Sequence, residues 1–183
     1  SLKSSDSTLT YTQAFTYAFN QEAQRDDKIC AISAAMIDGT GLRDFATSHP
    51  DRCFDVGIAE AHAVGLASGL ALGGYKPLVA LYSTFLQRAI DQSIINVALC
   101  NLPVVFAIDR AGLVGDDGPT HHGMFDMALL RTIPNMRIIA PSNEAELVHA
   151  LHTAFMLPGP VVLRYPRGSA QGVSLPQDPL YMK

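Results

Sequence analysis

Helix-like amphipathic stretches alternate with short β-branched runs along most of this chain, and that alternation restricts the fold more than any other feature. Apolar residues recur at helical spacing over residues 11–24, and a strand-like apolar run follows at residues 28–36. The alternation continues to the run at residues 160–164. This pattern predicts an α/β domain with a mainly parallel sheet.

The period of the pattern also sets the expected elements. We predict strands at residues 28–36, 53–56, 77–82, 103–108, 136–139 and 160–164. We predict helices at residues 11–24, 42–48, 60–72, 85–99, 124–131 and 143–156. Thr10 is the expected cap of the first helix, and Gly73-Gly74 is expected to close the third. Because the third helix carries Ala or Gly on nearly every face, we expect it to be buried at a subunit or domain interface.

Composition excludes several functional classes. With 183 residues, 48% of them apolar and 16% charged, the chain is expected to form one globular domain with a substantial core. A net charge of -4 without a block of Lys or Arg argues against a nucleic-acid or membrane partner. No apolar run in the sequence is long enough to span a bilayer. Cys30, Cys53 and Cys100 form no CxxC pair and are expected to be buried thiols, which favours a cytoplasmic protein.

Polar residues follow the ends of the predicted strands. In a parallel sheet the ligand crevice lies beyond the carboxyl ends of the strands, so these residues are the candidates for a site. They fall in the segments 57–60, 82–88, 109–123 and 164–168. One edge of the sheet is therefore predicted to gather a carboxylate, aromatic rings, arginines and imidazoles. The loop at residues 109–123 is long enough to be functional or disordered.

Four of these segments carry a family resemblance. They are FDVGIAEAHAV at residues 54–64, YSTFLQRA at 82–89, DRAG at 109–112 and RYPRG at 164–168. Together they resemble the 1-deoxy-D-xylulose 5-phosphate synthase family, from about residue 10 to residue 173. Transketolase and the pyruvate dehydrogenase β-subunit share the segment that contains Glu60. The sequence departs from the family pattern at Ala61 and His122, where glutamine is common.

The resemblance implies a thiamine-diphosphate-binding, flavodoxin-like three-layer fold and a cofactor site for the pyrimidine end of thiamine diphosphate. Glu60 matches the carboxylic acid that holds the pyrimidine nitrogen N1′, although from position alone it is equally an ordinary first-turn glutamate. Phe85 matches the aromatic residue that stacks on the pyrimidine, with a core phenylalanine as the alternative. Arg88, one turn later, either contacts the cofactor, braces the site or is a solvated helix residue.

The resemblance also implies a substrate site. Arg110 and Arg167 match the residues that bind the phosphate of glyceraldehyde 3-phosphate, with a hydroxyl from Tyr82. Asp117 and His121 match acid/base and hydroxyl-recognition residues. Arg164, in the same segment as Arg167, is instead interpreted as a structural residue.

No metal site is predicted within the chain. His121 and His122 have no third ligand at zinc spacing. Gly115-Asp116-Asp117 lacks the third residue of the magnesium-diphosphate motif. We therefore expect Mg²⁺ to be bound by a separate diphosphate-binding domain that precedes this segment, with a C-terminal domain after it.

The resemblance thus predicts part of a transferase that condenses pyruvate with glyceraldehyde 3-phosphate, releases CO₂ and supplies isoprenoid and thiamine precursors. Residues 10–173 would be the pyrimidine-binding domain, between a disordered or expression-derived leader at 1–9 and a linker tail at 174–183. The enzyme is expected to be a homodimer, and this piece is expected to be inactive alone. The alternatives are a transketolase, a dehydrogenase β-subunit, or a noncatalytic assembly domain that uses the helix at 60–72.

Overall fold

A computed structural model describes residues 8–182, so most of the predicted leader and the last residue of the predicted tail lie outside the described part. Six strands form one sheet in the order β2-β1-β3-β4-β6-β5, and every neighbouring pair is parallel. The strands are β1 (Ile29–Ser33), β2 (Cys53–Asp55), β3 (Lys76–Tyr82), β4 (Val105–Asp109), β5 (Arg137–Ile139) and β6 (Val161–Arg164). The predicted mainly parallel α/β fold is confirmed.

Helices cover both faces of this sheet. They are α1 (Tyr11–Arg25), α2 (Arg43–Ser48), α3 (Glu60–Leu72), α4 (Ser83–Leu86), α5 (Ile90–Gln92), α6 (Asp126–Leu130) and α7 (Glu144–Met156). Alternate strand residues point to opposite faces, so Leu78 and Ala80 pack with α1 and α7 while Val79 and Leu81 pack with α3 and α4. The sheet and the helices on its two faces form the three-layer arrangement that the resemblance implies.

The ends of two helices follow their sequence signals. Thr10 caps α1 in a capping box, because its side chain accepts from the Gln13 N–H and the Gln13 side chain accepts from the Thr10 N–H. Helix α3 ends in a Schellman motif. The Tyr75 N–H donates to the Leu70 carbonyl, and the N–H of Gly74, whose φ is +84°, donates to the Ala71 carbonyl. Both predicted helix ends are therefore observed.

One predicted helix differs from the structure, and another is covered on one face only. The expected helix at 85–99 is a run of α, 3₁₀ and π turns over residues 83–98, and Ser93 Oγ donates to the Ala89 carbonyl inside it, a bond that bends helices. In this single chain only one face of α3 is covered, so its burial at a subunit or domain interface stays a prediction. Gly65 and Gly69 lie on the other face, where an added Cβ would meet open space.

The cysteines differ from one another in exposure. Cys30 is buried in β1, and Cys53 is half-buried at the start of β2. Cys100 is exposed, in the turn that follows the run at 83–98. The expectation of a buried thiol is therefore wrong for Cys100, because the apolar run before it ends at the surface.

The segment after residue 173 lies against the outer surface of α1 and α7. Leu175 and Met182 are partly buried and pack against the apolar cluster to which α1 and α7 contribute residues. The Met182 N–H donates to Thr153 Oγ1 at 2.8 Å, and Arg25 donates to the Gln177 carbonyl at 3.0 Å. This part of the predicted linker tail is thus in contact with the domain. None of the helices in residues 8–182 combines the length and apolar character needed to cross a membrane.

Candidate functional site

The carboxyl ends of the parallel strands bring the candidate residues to one edge of the sheet. Tyr82 is the last residue of β3, and Asp109 is the last residue of the neighbouring β4, directly before Arg110. Glu60 is the first residue of α3, which starts after β2 at the same edge. Arg167 follows β6, the next strand beyond β4. The sheet topology therefore places residues that are distant in sequence side by side.

Glu60 lies at the back of a small, mainly apolar cleft. Its side chain is only 3% exposed, and its Oε1 accepts from the Arg88 guanidinium at 2.8 Å. The cleft has a volume of about 220 Å³ and is lined by Ala34, Ala35, Met36, Ile58, Glu60, Phe85 and Arg88. A buried carboxylate needs a hydrogen-bonding partner, and Arg88 supplies one here. The arrangement fits a flat heteroaromatic ring that offers a polar nitrogen to the carboxylate.

Three aromatic side chains continue from this cleft. The Cζ atom of Arg88 lies 5.1 Å from the centre of the Phe85 ring. Phe85 also contacts Tyr82, and the two rings stack with their centres 5.8 Å apart. His121 meets Phe85 edge to face at 5.4 Å. Such pairs are favourable because the positive ring edge approaches the negative ring face. The aromatic group connects the Glu60 cleft to the next part of the edge.

Beyond Tyr82 lies a pair of arginines that share one carboxylate. The Arg110 guanidinium stacks 3.7 Å over the Tyr82 ring, and its Nε lies 3.6 Å from Asp117 Oδ2. Arg167 forms a close ion pair with Asp117 Oδ1. Burial raises the pKa of the Tyr82 hydroxyl, so it stays a neutral donor near pH 7. Tyr82, Arg110 and Arg167, which we call the anion pocket, thus bring together two guanidinium groups and a hydroxyl, a donor set suited to a small anion.

Asp109 lies beneath this pocket and is completely buried. Its Oδ2 accepts from the Thr12 hydroxyl at 2.8 Å, and its Oδ1 accepts from the Arg110 N–H at 2.6 Å. Burial raises its pKa to about 6, against the opposing effect of the Arg110 charge. The sequence pattern places Asp109 at the edge of the site but indicates no role for it, because its partner Thr12 lies on α1.

The loop at residues 109–123 folds back on itself. Two 3₁₀ turns, at Gly115–Asp117 and Pro119–His121, carry the candidate Asp117 and His121. His122 Nδ1 accepts from the Val114 N–H at 3.2 Å, which ties the two arms of the loop together. Thr84 donates to the Thr120 carbonyl at 3.0 Å and anchors the loop to α4. The departure from the family pattern at His122 therefore lies in a loop contact.

All eight residues predicted for the site lie in one continuous row of contacts. From one end to the other, the row is Glu60, Arg88, Phe85 with His121, Tyr82, Arg110, Asp117 and Arg167. The carboxylate cleft and the anion pocket are thus neighbours on one rim. Arg164 lies apart from the row and pairs with the buried Asp126 at 2.9 Å, so its structural interpretation fits the geometry. Residues 8–182 contain no group of three potential metal ligands.

Curated relatives support the resemblance. The chain is 59% identical over 169 residues to a protein from Syntrophomonas wolfei named 1-deoxy-D-xylulose-5-phosphate synthase, and the match covers 92% of this chain and 26% of that protein. It is 54% identical to 1-deoxy-D-xylulose-5-phosphate synthase 2 from Geobacter sulfurreducens, covering 97% of this chain and 28% of the relative. The chain therefore spans about a quarter of the length of these relatives.

Solved structures share the fold. A split-gene transketolase, described as an inactive β4 tetramer, superposes with a TM-score of 0.79 at 29% identity, over 96% of this chain and 57% of that one. Transketolase from Campylobacter jejuni superposes with a TM-score of 0.82 at 20% identity, over 93% of this chain and 27% of that one. Residues 7–172 match the family described as the transketolase pyrimidine-binding domain. The chain belongs to that family.

Proposed function

We propose that this chain is the pyrimidine-binding domain of a thiamine-diphosphate-dependent synthase that forms 1-deoxy-D-xylulose 5-phosphate. In that reaction pyruvate loses CO₂ and its other two carbons join the aldehyde carbon of glyceraldehyde 3-phosphate. The observation that carries the proposal is the row of contacts from Glu60 to Arg167, which joins a cleft for a heteroaromatic ring to a pocket for an anion. The names of the relatives that cover nearly the whole chain supply the specific reaction.

The Glu60 cleft is proposed to hold the pyrimidine end of the cofactor. Thiamine diphosphate, when bound, supplies the carbon nucleophile that attacks pyruvate. Glu60 would hold a proton between its carboxyl group and the pyrimidine nitrogen, and Phe85 would stack on the ring. Arg88 donates to Oε1 of Glu60, which fixes the carboxyl group. Because the side chain of Glu60 is 3% exposed, little water competes for this contact.

The arginine pocket is proposed to hold the phosphate of glyceraldehyde 3-phosphate. Arg110 and Arg167 would donate to phosphate oxygens, with the neutral Tyr82 hydroxyl as a third donor. Both guanidinium groups contact Asp117, so the phosphate would have to replace that carboxylate. Asp117 would then be released. Together with His121, which contacts the Phe85 ring, it would transfer protons and bind hydroxyl groups of the substrates.

The proposal places the other parts of the reaction on further domains. A preceding domain would bind the diphosphate through Mg²⁺, and a C-terminal domain would follow. Residues 10–173 would form the domain described here, with 1–9 as leader and 174–183 as the connection onward. The whole enzyme would be a cytoplasmic homodimer in the supply of isoprenoid and thiamine precursors. This chain alone would be inactive, because its cleft contacts only one end of the cofactor.

Substitution of Glu60 in the longer protein that carries this domain tests the proposal. Glu60→Gln should lower the formation of 1-deoxy-D-xylulose 5-phosphate by about 10²–10⁴-fold, as expected for loss of a general acid/base group. Glu22→Gln is a matched control, because Glu22 is also buried and ion-paired, with Arg25 at 2.7 Å, but lies on α1. Unchanged turnover in Glu60→Gln would instead favour a noncatalytic assembly domain.

The choice of substrates separates the proposed synthase from a transketolase or a dehydrogenase β-subunit. The unsubstituted protein should release CO₂ from pyruvate and form the five-carbon phosphate when glyceraldehyde 3-phosphate is present. Ketol transfer from a sugar phosphate without CO₂ release would replace the proposal with a transketolase. Acyl transfer from pyruvate without carbon–carbon bond formation would replace it with a dehydrogenase component.

A further inference from the structure

Asp109 is a buried acidic residue that the proposed function does not use. It ends β4 and is 0% exposed, yet it makes no bond to the sheet through its side chain. Its carboxylate accepts from Thr12 Oγ1 at 2.8 Å and from the Arg110 N–H at 2.6 Å. Arg110 Nη1 lies 3.3 Å from Oδ2. Two of its three polar contacts therefore go to one residue, Arg110.

Arg110 itself is held in an unusual backbone conformation. Its φ is +59°, in the left-handed region that residues other than glycine rarely adopt and that must be maintained by the surrounding structure. The Asp109 carboxylate is bonded to its N–H, and the next N–H, that of Ala111, donates to the Tyr165 carbonyl at 3.0 Å. Asp109 thus contacts both the backbone and the guanidinium group of Arg110.

The guanidinium group is also constrained from the side of Gly39. Arg110 Nη1 donates to the Gly39 carbonyl at 2.8 Å. A Cβ added at Gly39 would lie 1.6 Å from the Tyr82 hydroxyl, so the chain approaches the ring more closely than any side chain allows. Arg110 is therefore packed between the Tyr82 ring, the Gly39 carbonyl and Asp109. Its Nε is buried, lies 3.6 Å from Asp117 Oδ2 and has no hydrogen-bond partner, so this donor is left unsatisfied on the side of Asp117.

We propose that Asp109, fixed by Thr12, is a positioning residue that directs the Arg110 guanidinium into the anion pocket and so sets the affinity for the phosphorylated acceptor. The inference rests on the proposed function of that pocket. Asp109 does not touch the substrate in this account. It acts through Arg110, and Thr12 acts through Asp109.

Asp109→Asn in the longer protein tests this inference. Asparagine keeps the size of the side chain but removes the charge that faces Arg110. We expect KM for glyceraldehyde 3-phosphate to rise about 10-fold or more, the loss expected for a hydrogen bond to a charged group, with KM for pyruvate unchanged. The non-phosphorylated acceptor D-glyceraldehyde should be used with unchanged kcat/KM. An equal loss with both acceptors would mean a general structural role and would overturn the inference.

Thr12 offers a matched pair of variants. Thr12→Val has nearly the same shape but cannot donate to Asp109. We expect it to raise KM for glyceraldehyde 3-phosphate by about 3–10-fold, less than Asp109→Asn, because the carboxylate loses one hydrogen bond but keeps its charge beside Arg110. Thr12→Ser keeps the hydroxyl and should restore most of the affinity. Equal KM values for the two variants would remove Thr12 from the account.

A double substitution shows whether Asp109 acts through Arg110. In an Arg110→Ala background, Asp109→Asn should raise KM for glyceraldehyde 3-phosphate no further, whereas independent effects would multiply and refute the inference. Calorimetric titration with glyceraldehyde 3-phosphate separates this result from failure of the proposed function. Weaker binding to Asp109→Asn supports positioning even if the protein catalyses another reaction. Equal binding to both proteins, or none to the unsubstituted protein, overturns it.

Discussion

Replacing Asp109 with asparagine should change how the stability of this domain depends on pH. Burial raises the pKa of Asp109 from 3.8 to about 6 in the folded protein. In the unfolded chain the carboxyl group is hydrated and its pKa returns to the ordinary value. Between these two values the folded protein therefore binds the proton more tightly than the unfolded chain. The stability that this proton provides is fully present below about pH 4 and is lost as the pH rises through 6.

The size of the effect follows from the two pKa values. The rise of about two units in the pKa of Asp109 corresponds to ~3 kcal/mol in the free energy of unfolding over the whole pH range between the two pKa values. Between pH 7 and pH 5 the expected gain in the free energy of unfolding is about 1 kcal/mol, because only part of the window is crossed. The amide group that replaces the carboxyl group in Asp109→Asn carries no titrating proton. The difference in stability between the two proteins should therefore move by this amount in favour of the unsubstituted chain.

Urea unfolding of both proteins at several pH values measures this difference, and the other titrating groups cancel in the comparison. Asp26→Asn is a control with the opposite sign, because the hydrogen bond from Lys76, at 2.7 Å, lowers the pKa of Asp26. The advantage of the unsubstituted chain over Asp26→Asn should shrink as the pH falls below about 5. A constant difference between Asp109→Asn and the unsubstituted chain from pH 7 to pH 5 would refute the argument.

Three further predictions concern stability and reactivity. Arg164→Leu should lower the free energy of unfolding by about 3–5 kcal/mol, because it leaves the buried Asp126 carboxylate unpaired; a loss below about 1 kcal/mol in urea unfolding would contradict this. Thr10→Ala should cost about 1 kcal/mol in the same assay, since it removes half of the capping box of α1. Iodoacetamide at pH 8 should modify the exposed Cys100 well before Cys30, because burial raises the pKa of the Cys30 thiol to about 11. Mass spectrometric mapping of the first adduct tests this order.

The fold was largely predictable from the change of period along the chain. Strands that are buried on both faces, such as β1 and β4, read as continuous apolar runs, whereas α1 shows one apolar stripe. The run over residues 83–98 was harder, because the Ser93 bond to the Ala89 carbonyl that bends it has no distinct sequence signal. The single chain leaves Gly65 and Gly69 of α3 uncovered, and these lie on the face that the predicted interface would bury.

The members of the site were predictable, but their supports were not. Parallel strands deliver their carboxyl ends to one edge, so Tyr82, Arg110 and Arg167 could be grouped from the strand pattern alone. The resemblance then supplied their proposed roles. The contact between Thr12 and Asp109 joins residues 97 positions apart, and no local pattern indicates it. The same holds for Gly39, whose importance arises from the nearness of the Tyr82 hydroxyl.

The segment that covers α1 and α7 has a consequence for where this domain can be cut. A chain ending at residue 173 would lose Leu175 and Met182 and bare the apolar surface beneath them. It would also lose the bond from the Met182 N–H to Thr153. Uncovered apolar patches promote self-association. A protein expressed only to residue 173 would thus self-associate more than one that extends to residue 182.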